Sequence, residues 1–381
     1  MRWVATCARG LEEIVAGELT ALGIASAKPE TGGVPFSGGW HEGFTANWRL
    51  RTANRVLIEL ASWPAGDDEA LYRGARLLVE RATEGPSASG LALLELFSPE
   101  RTFAIKATST GSRIRDTRWI AMKVKDAVVD AQRARWDCRS DIEREHPDLS
   151  LRLRLVKDRA TLLVDSSGEP LDRRGYRVTS TAAPLRENLA AAAVLASGWI
   201  GTGPVVDPMC GSGTLLAEAA SLALGLPPNR FRADWACERL PGADLAVWHF
   251  VRASPLPVPG PDLQLYGVDS SGEAMVATRR NLEAAGLAGR LTLRSGDAFD
   301  FEPPPGPGLL LVNPPHGQRL LDGPESWRRL GDLLKQRYSG WKAVVFAGGE
   351  SRGKHLGLKP ARRLPVWNGP LEARILVFDL W

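Results

Sequence analysis

From residue 204 to the end of the chain, short apolar runs alternate with stretches of helical period. This alternation constrains the fold more than any other feature. Strands are expected at 204–206, 263–268, 291–293, 308–312, 343–347 and 373–379, and helices at 214–224, 272–285 and 326–337. Repeated βα units imply an α/β fold with a mostly parallel sheet covered on both faces. Residues 225–262 interrupt the rhythm with seven prolines and read as an excursion holding one short helix near 245–251.

The first half follows another pattern. A strand at 2–7 and a helix carrying Leu11, Ile14, Val15, Leu19 and Leu22 come first, and Gly23 ends the helix. Residues 29–45 read as turns around a short strand, followed by a strand at 56–61 and a helix at 69–81. Residues 85–168 form a block with a strand at 102–107 and a helix at 119–133. In the strand Leu149, Leu151, Leu153 and Leu155, arginines 152 and 154 point the other way, and 160–164 pairs with it across a turn. Residues 168–180 read as a linker, and no internal repeat is evident.

The chain has 48 Lys and Arg against 44 Asp and Glu, a mild excess. The distribution is less even. Between 101 and 140 there are ten basic residues to four acidic ones, with Trp119 and Trp136 among them. Bases interleaved with aromatics suit a phosphate backbone and stacked nucleobases, although a solvated helix with core tryptophans reads equally well. The four cysteines have no metal-knuckle or disulfide spacing, so neither a metal nor an oxidising compartment is expected. Glu12 and Glu13 fall where a signal peptide needs apolar residues. The longest apolar stretch, near 189–200, is too short for a membrane span. A cytoplasmic protein is expected.

Four motifs stand at successive strand ends, where an open α/β sheet binds its ligands. In Asp207-Pro-Met-Cys-Gly-Ser-Gly-Thr214, glycines 211 and 213 let the backbone approach a ligand. The strand-ending acid suits a cationic group such as an ammonium, and the loop lacks the lysine of a phosphate loop. Asp269 follows at the next strand end, where an acid can hold ribose hydroxyls or simply cap the following helix. Asp297 can accept from an adenine amino group or serve as a turn residue. The fourth motif, Asn313-Pro314-Pro315-His316, ends an apolar strand in a stiff corner. Its outward carbonyls and the Asn313 amide form a pair of acceptors for an exocyclic amino group, with a planar ring at 316 to stack on the base. Each motif alone is ambiguous; their occurrence in order is not.

DPMCGSGT, GVDSS, SGDAF and NPPHGQRL together resemble class I S-adenosylmethionine-dependent methyltransferases that act on an amino nitrogen. The run from Arg173 to Trp199 and the opening Thr6–Gly23 are similar to THUMP-containing RNA guanine-N2 methyltransferases of the 23S rRNA type, with tRNA enzymes close behind. The resemblance implies a ferredoxin-like part at 1–60, a THUMP RNA-binding domain at 61–168 and a Rossmann-like catalytic domain at 169–381. It implies that Asp207, Cys210, Gly211, Ser212, Gly213 and Thr214 border the methionine moiety. Asp269 with Ser270 would hold the ribose, and Asp297 with Ala298 the adenine. Arg186, Glu187 and Asn188 match an upstream cofactor-facing motif. Asn313, Pro314 and Pro315 would hold the guanine amino group beside the cofactor, with structured RNA as partner. The family has Tyr, Phe or Trp where this chain has His316. Two other readings use the same motifs: DNA adenine-N6 methylation, and an RNA-binding assembly protein without turnover.

Overall fold

The structure is a computed structural model that describes residues 1–25, 28–83, 85, 87–181, 184–254, 263–314, 323–348, 352–368 and 371–381. The first half comprises β1 (Arg2–Cys7), α1 (Glu12–Ala21), β2 (Gly33–Ser37), α2 (Trp40–Arg49), β3 (Ala53–Pro64), α3 (Asp68–Glu80), α4 (Leu93–Leu96), β4 (Phe103–Thr110), α5 (Thr117–Trp136), β5 (Leu149–Val156) and β6 (Arg159–Asp165). Its strands form one six-stranded sheet, ordered β2-β1-β3-β6-β5-β4. β3 pairs with β1 on one side and with β6 on the other. The two N-terminal segments therefore share a continuous sheet through residue 60.

Local chemistry explains the helices. Asp67 caps α3 by accepting the Ala70 N–H at 2.7 Å, and Asp116 caps α5. α5 stops at Asp137, whose φ of 54° is left-handed. On β5 the leucines are buried and the arginines lie on the opposite face, as the alternation predicts. Helix α2 was not expected, because residues 29–45 read as turns. Its Trp40, Phe44 and Trp48 recur every four residues, and Glu42 accepts the Gly39 N–H at 2.7 Å to close its start.

The second half comprises α6 (Glu187–Ala196), β7 (Val205–Asp207), α7 (Thr214–Ala223), α8 (Leu245–Ala253), β8 (Leu265–Asp269), α9 (Gly272–Ala284), β9 (Leu291–Ser295), β10 (Leu309–Val312), α10 (Pro324–Arg337), β11 (Lys342–Gly348), β12 (Arg362–Asn368) and β13 (Leu371–Asp379). The sheet order is β12-β13-β11-β10-β7-β8-β9. β11 to β9 are parallel, and β13 runs antiparallel beside β11. Leu309 and Leu311 pack into the core that holds α6 and α7, whereas Leu310 and Val312 pack with α10 on the other face. Both faces are thus covered, as the βα alternation requires. β12 was missed: it pairs with β13 as the edge strand, where Pro365 is tolerated.

The proline-rich excursion has a structural task. Trp248 of α8 meets Phe44 of α2 at 5.3 Å and Trp235 at 5.0 Å, and Trp235 meets Trp48 at 6.1 Å. These aromatics fasten the second half to the first. A buried ion pair adds to the junction: Arg174 in the linker faces Glu218 of α7 at 3.4 Å and donates to the Arg51 carbonyl.

Candidate active site

The site forms where the strand order reverses. β8 and β9 lie on one side of β7 and β10 on the other, so the topological switch point, where open α/β sheets bind ligands, falls between the carboxyl ends of β7 and β10. Asp207 ends β7, and Asn313 and Pro314 follow β10 directly. Val205 and Val206 of β7 lie opposite Leu309 and Leu310 of β10, so Asp207 falls level with Leu311, two residues before Asn313, at the same end of the sheet. Pro315 and His316 lie outside the described residues.

Asp207 is buried and accepts the Met209 N–H at 3.2 Å. Burial, with a smaller contribution from the nearby Asp269 charge, pushes its carboxyl up to about 8 against the lowering effect of that hydrogen bond. A carboxylate in this setting is short of positive charge.

The turn after Asp207 is held on every side. Asp269 accepts the Gly211 N–H at 2.9 Å, and Thr278 of α9 donates to the Gly211 carbonyl at 2.9 Å. Asn281 donates to the Ser212 and Thr179 carbonyls, at 2.9 and 2.8 Å, and accepts the Val178 and Thr179 N–H groups. Gly213 has φ +77°, and a Cβ there would lie 2.7 Å from Leu282 Cδ1, so only glycine fits. Cys210 is buried, and burial raises its thiol far above the ordinary range, which leaves it a packing residue. Thr214 receives a hydrogen bond from Arg177 at 3.1 Å.

Asp269 does not cap α9. That position belongs to Ser271, which accepts the Ala274 N–H at 3.3 Å. Asp269 instead bridges Gly211 and Ser271 through its two oxygens. Ser270 stands between them in the same turn. Asp297 accepts the Phe299 N–H at 2.9 Å and starts a single 3₁₀ turn, with Ala298 and Phe299 buried behind it. Arg329 of α10 lies over the Phe299 ring at 3.8 Å.

The upstream residues divide. Glu187 is buried and pairs with Arg177 at 3.0 Å, and Arg177 also reaches Thr214 at the glycine turn. Burial raises the Glu187 carboxyl despite Arg177. Arg186 is exposed at the start of α6. Asn188 points the other way and donates to Asn54 of β3 at 2.6 Å. Sequence reasoning missed Arg177, Thr278 and Asn281. Polar residues on the inward stripe of α9 were a usable signal, because buried polar groups need partners.

Residues 174–375 match the family model described as "RMKL-like, methyltransferase domain". The chain belongs to the RMKL-like methyltransferase family. Residues 2–57 match the RlmL ferredoxin-like domain and residues 67–165 the THUMP domain. Relatives of this family include the Synechocystis sp. protein "Putative RNA methyltransferase slr0064", 36% identical over 386 residues, covering 100% of this chain and 97% of the relative. "Ribosomal RNA large subunit methyltransferase K/L" of Stutzerimonas stutzeri is 35% identical over 392 residues, covering 99% of this chain and 52% of the relative. The chain thus spans about half the length of that K/L protein. Among solved structures, SMU.472 complexed with SAH superposes with a TM-score of 0.82 at 28% identity, over 100% of this chain and 98% of the other.

This RMKL-like chain is accordingly a class I, S-adenosylmethionine-dependent methyltransferase. The donor set suits that cofactor: a buried carboxylate short of positive charge, a glycine turn open to close approach, and two further acids at the next two strand ends. Among the described residues no cluster could hold a metal ion, and no helix is long and apolar enough to cross a membrane. The cysteines are free.

Proposed function

We propose that this enzyme methylates the exocyclic N2 of a guanosine in large-subunit ribosomal RNA. The observation that carries the reading is that Asn313 and Pro314, just beyond β10, and the buried Asp207, closing β7, stand at the same end of two adjacent parallel strands. One strand end offers acceptors for an amino group, and its neighbour offers a carboxylate for a cationic donor. The THUMP match and the K/L relative support RNA as the substrate class and ribosomal RNA within it.

When bound, S-adenosylmethionine supplies the electrophilic methyl group. Asp207 takes its ammonium group and Asp269, with Ser270, the ribose. Asp297 and Ala298 take the adenine, and Arg177 with Glu187 braces the glycine turn from behind. The Asn313 side-chain oxygen and the Pro314 carbonyl accept the two amino hydrogens of guanine. These contacts orient the nitrogen and stabilise the positive charge that develops on it. The proton leaves afterwards to water. Pro315 stiffens the corner, and His316 stacks on the extruded base at a cost of a few kcal/mol for unstacking.

Residues 1–168 serve RNA capture and 169–381 the chemistry. Trp119, 38% exposed with Lys123 over its ring at 4.9 Å, fits a stacking and phosphate-binding role on α5. A substrate of this kind belongs to the cytoplasm. Mass-spectrometric mapping of N2-methylguanosine in rRNA and tRNA, from cells with and without the gene, tests the reading. A missing methyl group at one rRNA guanosine is expected; an unchanged rRNA map overturns it.

A further inference from the structure

The linker after residue 168 holds on to both halves of the molecule. Near its start the Leu171 N–H donates to the Asn54 carbonyl at 2.7 Å, and Arg174 donates to the Arg51 carbonyl. Those partners belong to the first half. Farther along, Arg177 donates to Thr214 at 3.1 Å, and the backbone at 178 and 179 meets Asn281 of α9. These partners belong to the catalytic half.

Asn281 is 1% exposed. A primary amide offers two N–H donors and an oxygen with two lone pairs. All of this capacity is used. The oxygen accepts the Val178 and Thr179 N–H groups at 2.9 and 3.0 Å, and the nitrogen donates to the Thr179 and Ser212 carbonyls at 2.8 and 2.9 Å. Three of these bonds seat the linker, and the fourth holds the glycine turn. One turn earlier on the same buried stripe, Thr278 holds the preceding carbonyl, that of Gly211, at 2.9 Å. Thr278 braces the turn; Asn281 braces the turn and the linker together.

Val178 is 62% exposed, so its backbone, and not burial of its side chain, fastens the chain there. Thr181 passes the turn again just beyond: a Cβ on Gly211 would lie 4.0 Å from its Oγ1. A buried amide that loses some of its partners is costly, and a shared amide therefore ties the position of the turn to that of the linker.

We infer that Asn281 is a positioning residue that makes the linker part of the cofactor site: the glycine turn takes its binding shape with residues 178 and 179 seated. The inference rests on the placement of the cofactor at this turn and not on the identity of the methylated base. Linkage is reciprocal, so a cofactor that needs the seated linker also holds it seated. Cofactor binding thus stiffens the connection between the two halves.

The test uses the full-length protein with S-adenosylhomocysteine as the probe. Calorimetry gives the affinity of each variant. Trypsin cleavage after Arg177, read by mass spectrometry with each variant saturated at its own affinity, reports the linker. In the wild type the probe should slow this cleavage about 10-fold. N281A should bind about 10-fold more weakly. Once saturated, it should show less than about 2-fold protection. T278V loses a brace on the turn alone, so it should bind more weakly and keep the wild-type protection. N281D is isosteric: it can still accept from the linker but cannot donate to Ser212. It carries the same expectation as N281A and decides the matter if the smaller side chain unfolds the protein. A wild type whose cleavage ignores the probe overturns the inference. So does an N281A or N281D protected as the wild type is, or a T278V that loses protection to the same degree. Failure of the cofactor placement would be seen separately, as Asp207→Asn and Asp269→Ala variants that both bind the probe with unchanged affinity.

Discussion

The Asp269 carboxylate accepts the Gly211 N–H at 2.9 Å, so the end of β8 holds the glycine turn that follows β7. Its other oxygen accepts the Ser271 N–H at 2.9 Å. Asp269→Ala removes the proposed ribose acceptor and this brace together. Cofactor affinity should fall about 10- to 100-fold, the scale of a hydrogen bond to a charged group. Calorimetric titration checks it, and unchanged affinity would remove Asp269 from the site.

Asn313→Ala takes away one of two acceptors for the guanine amino group. Single-turnover methyl transfer should drop at least about 100-fold, as when one preorganised polar contact to a transition state is lost. Cofactor affinity, measured in the same variant, should stay near wild type. A variant that turns over normally would refute the assignment.

Asp207 links the site to pH. Its carboxyl sits at about 8 in the folded protein, against about 4 in an unfolded chain. Between those values the folded state holds the extra proton, so this group's contribution to stability is complete below pH 4 and is lost as pH rises toward 8. An ammonium group arriving at Asp207 would reverse the preference. Cofactor binding at pH 6.5 should therefore release about one proton. Calorimetry in buffers of different ionisation enthalpy reads this, and the release should vanish in Asp207→Asn.

Arg174 and Glu218 are fully buried as a pair, with Tyr176 donating to Glu218 at 3.0 Å. Arg174→Met removes the guanidinium paired with Glu218 and leaves only the more distant charges of Arg51 and Arg230. A loss of about 3–5 kcal/mol is expected by urea denaturation. Protease should then cut first within residues 168–180, where Arg174 ties the linker to both halves. Changing Glu218→Gln in the same chain should recover much of the loss.

The catalytic half was legible because its central strands β7, β10 and β11 are buried on both faces. The apolar runs of β7, β8 and β10, leading to Asp207, Asp269 and Asn313, show through without tertiary information. The first half was readable wherever one face meets water, as in the leucine and arginine alternation of β5. Helix α2 was hidden because its aromatic stripe is flanked by Gly38, Gly39 and Gly43, which weigh toward turns; packing against Trp248 overrides that propensity. β12 was hidden because Pro365 breaks its apolar residues, and a proline weighs against a strand until the edge position is known. Arg177 and Asn281 escaped notice because their work is visible only once distant segments meet at the glycine turn.

β3 is shared property. Its twelve residues are the middle rung of a ladder whose two sides match different domain families. A gene fusion that brought in either side alone would leave an unzipped edge in the centre of the sheet. The two can be inherited, swapped or engineered only as a single cassette, and any chimera should be spliced in the linker after residue 165.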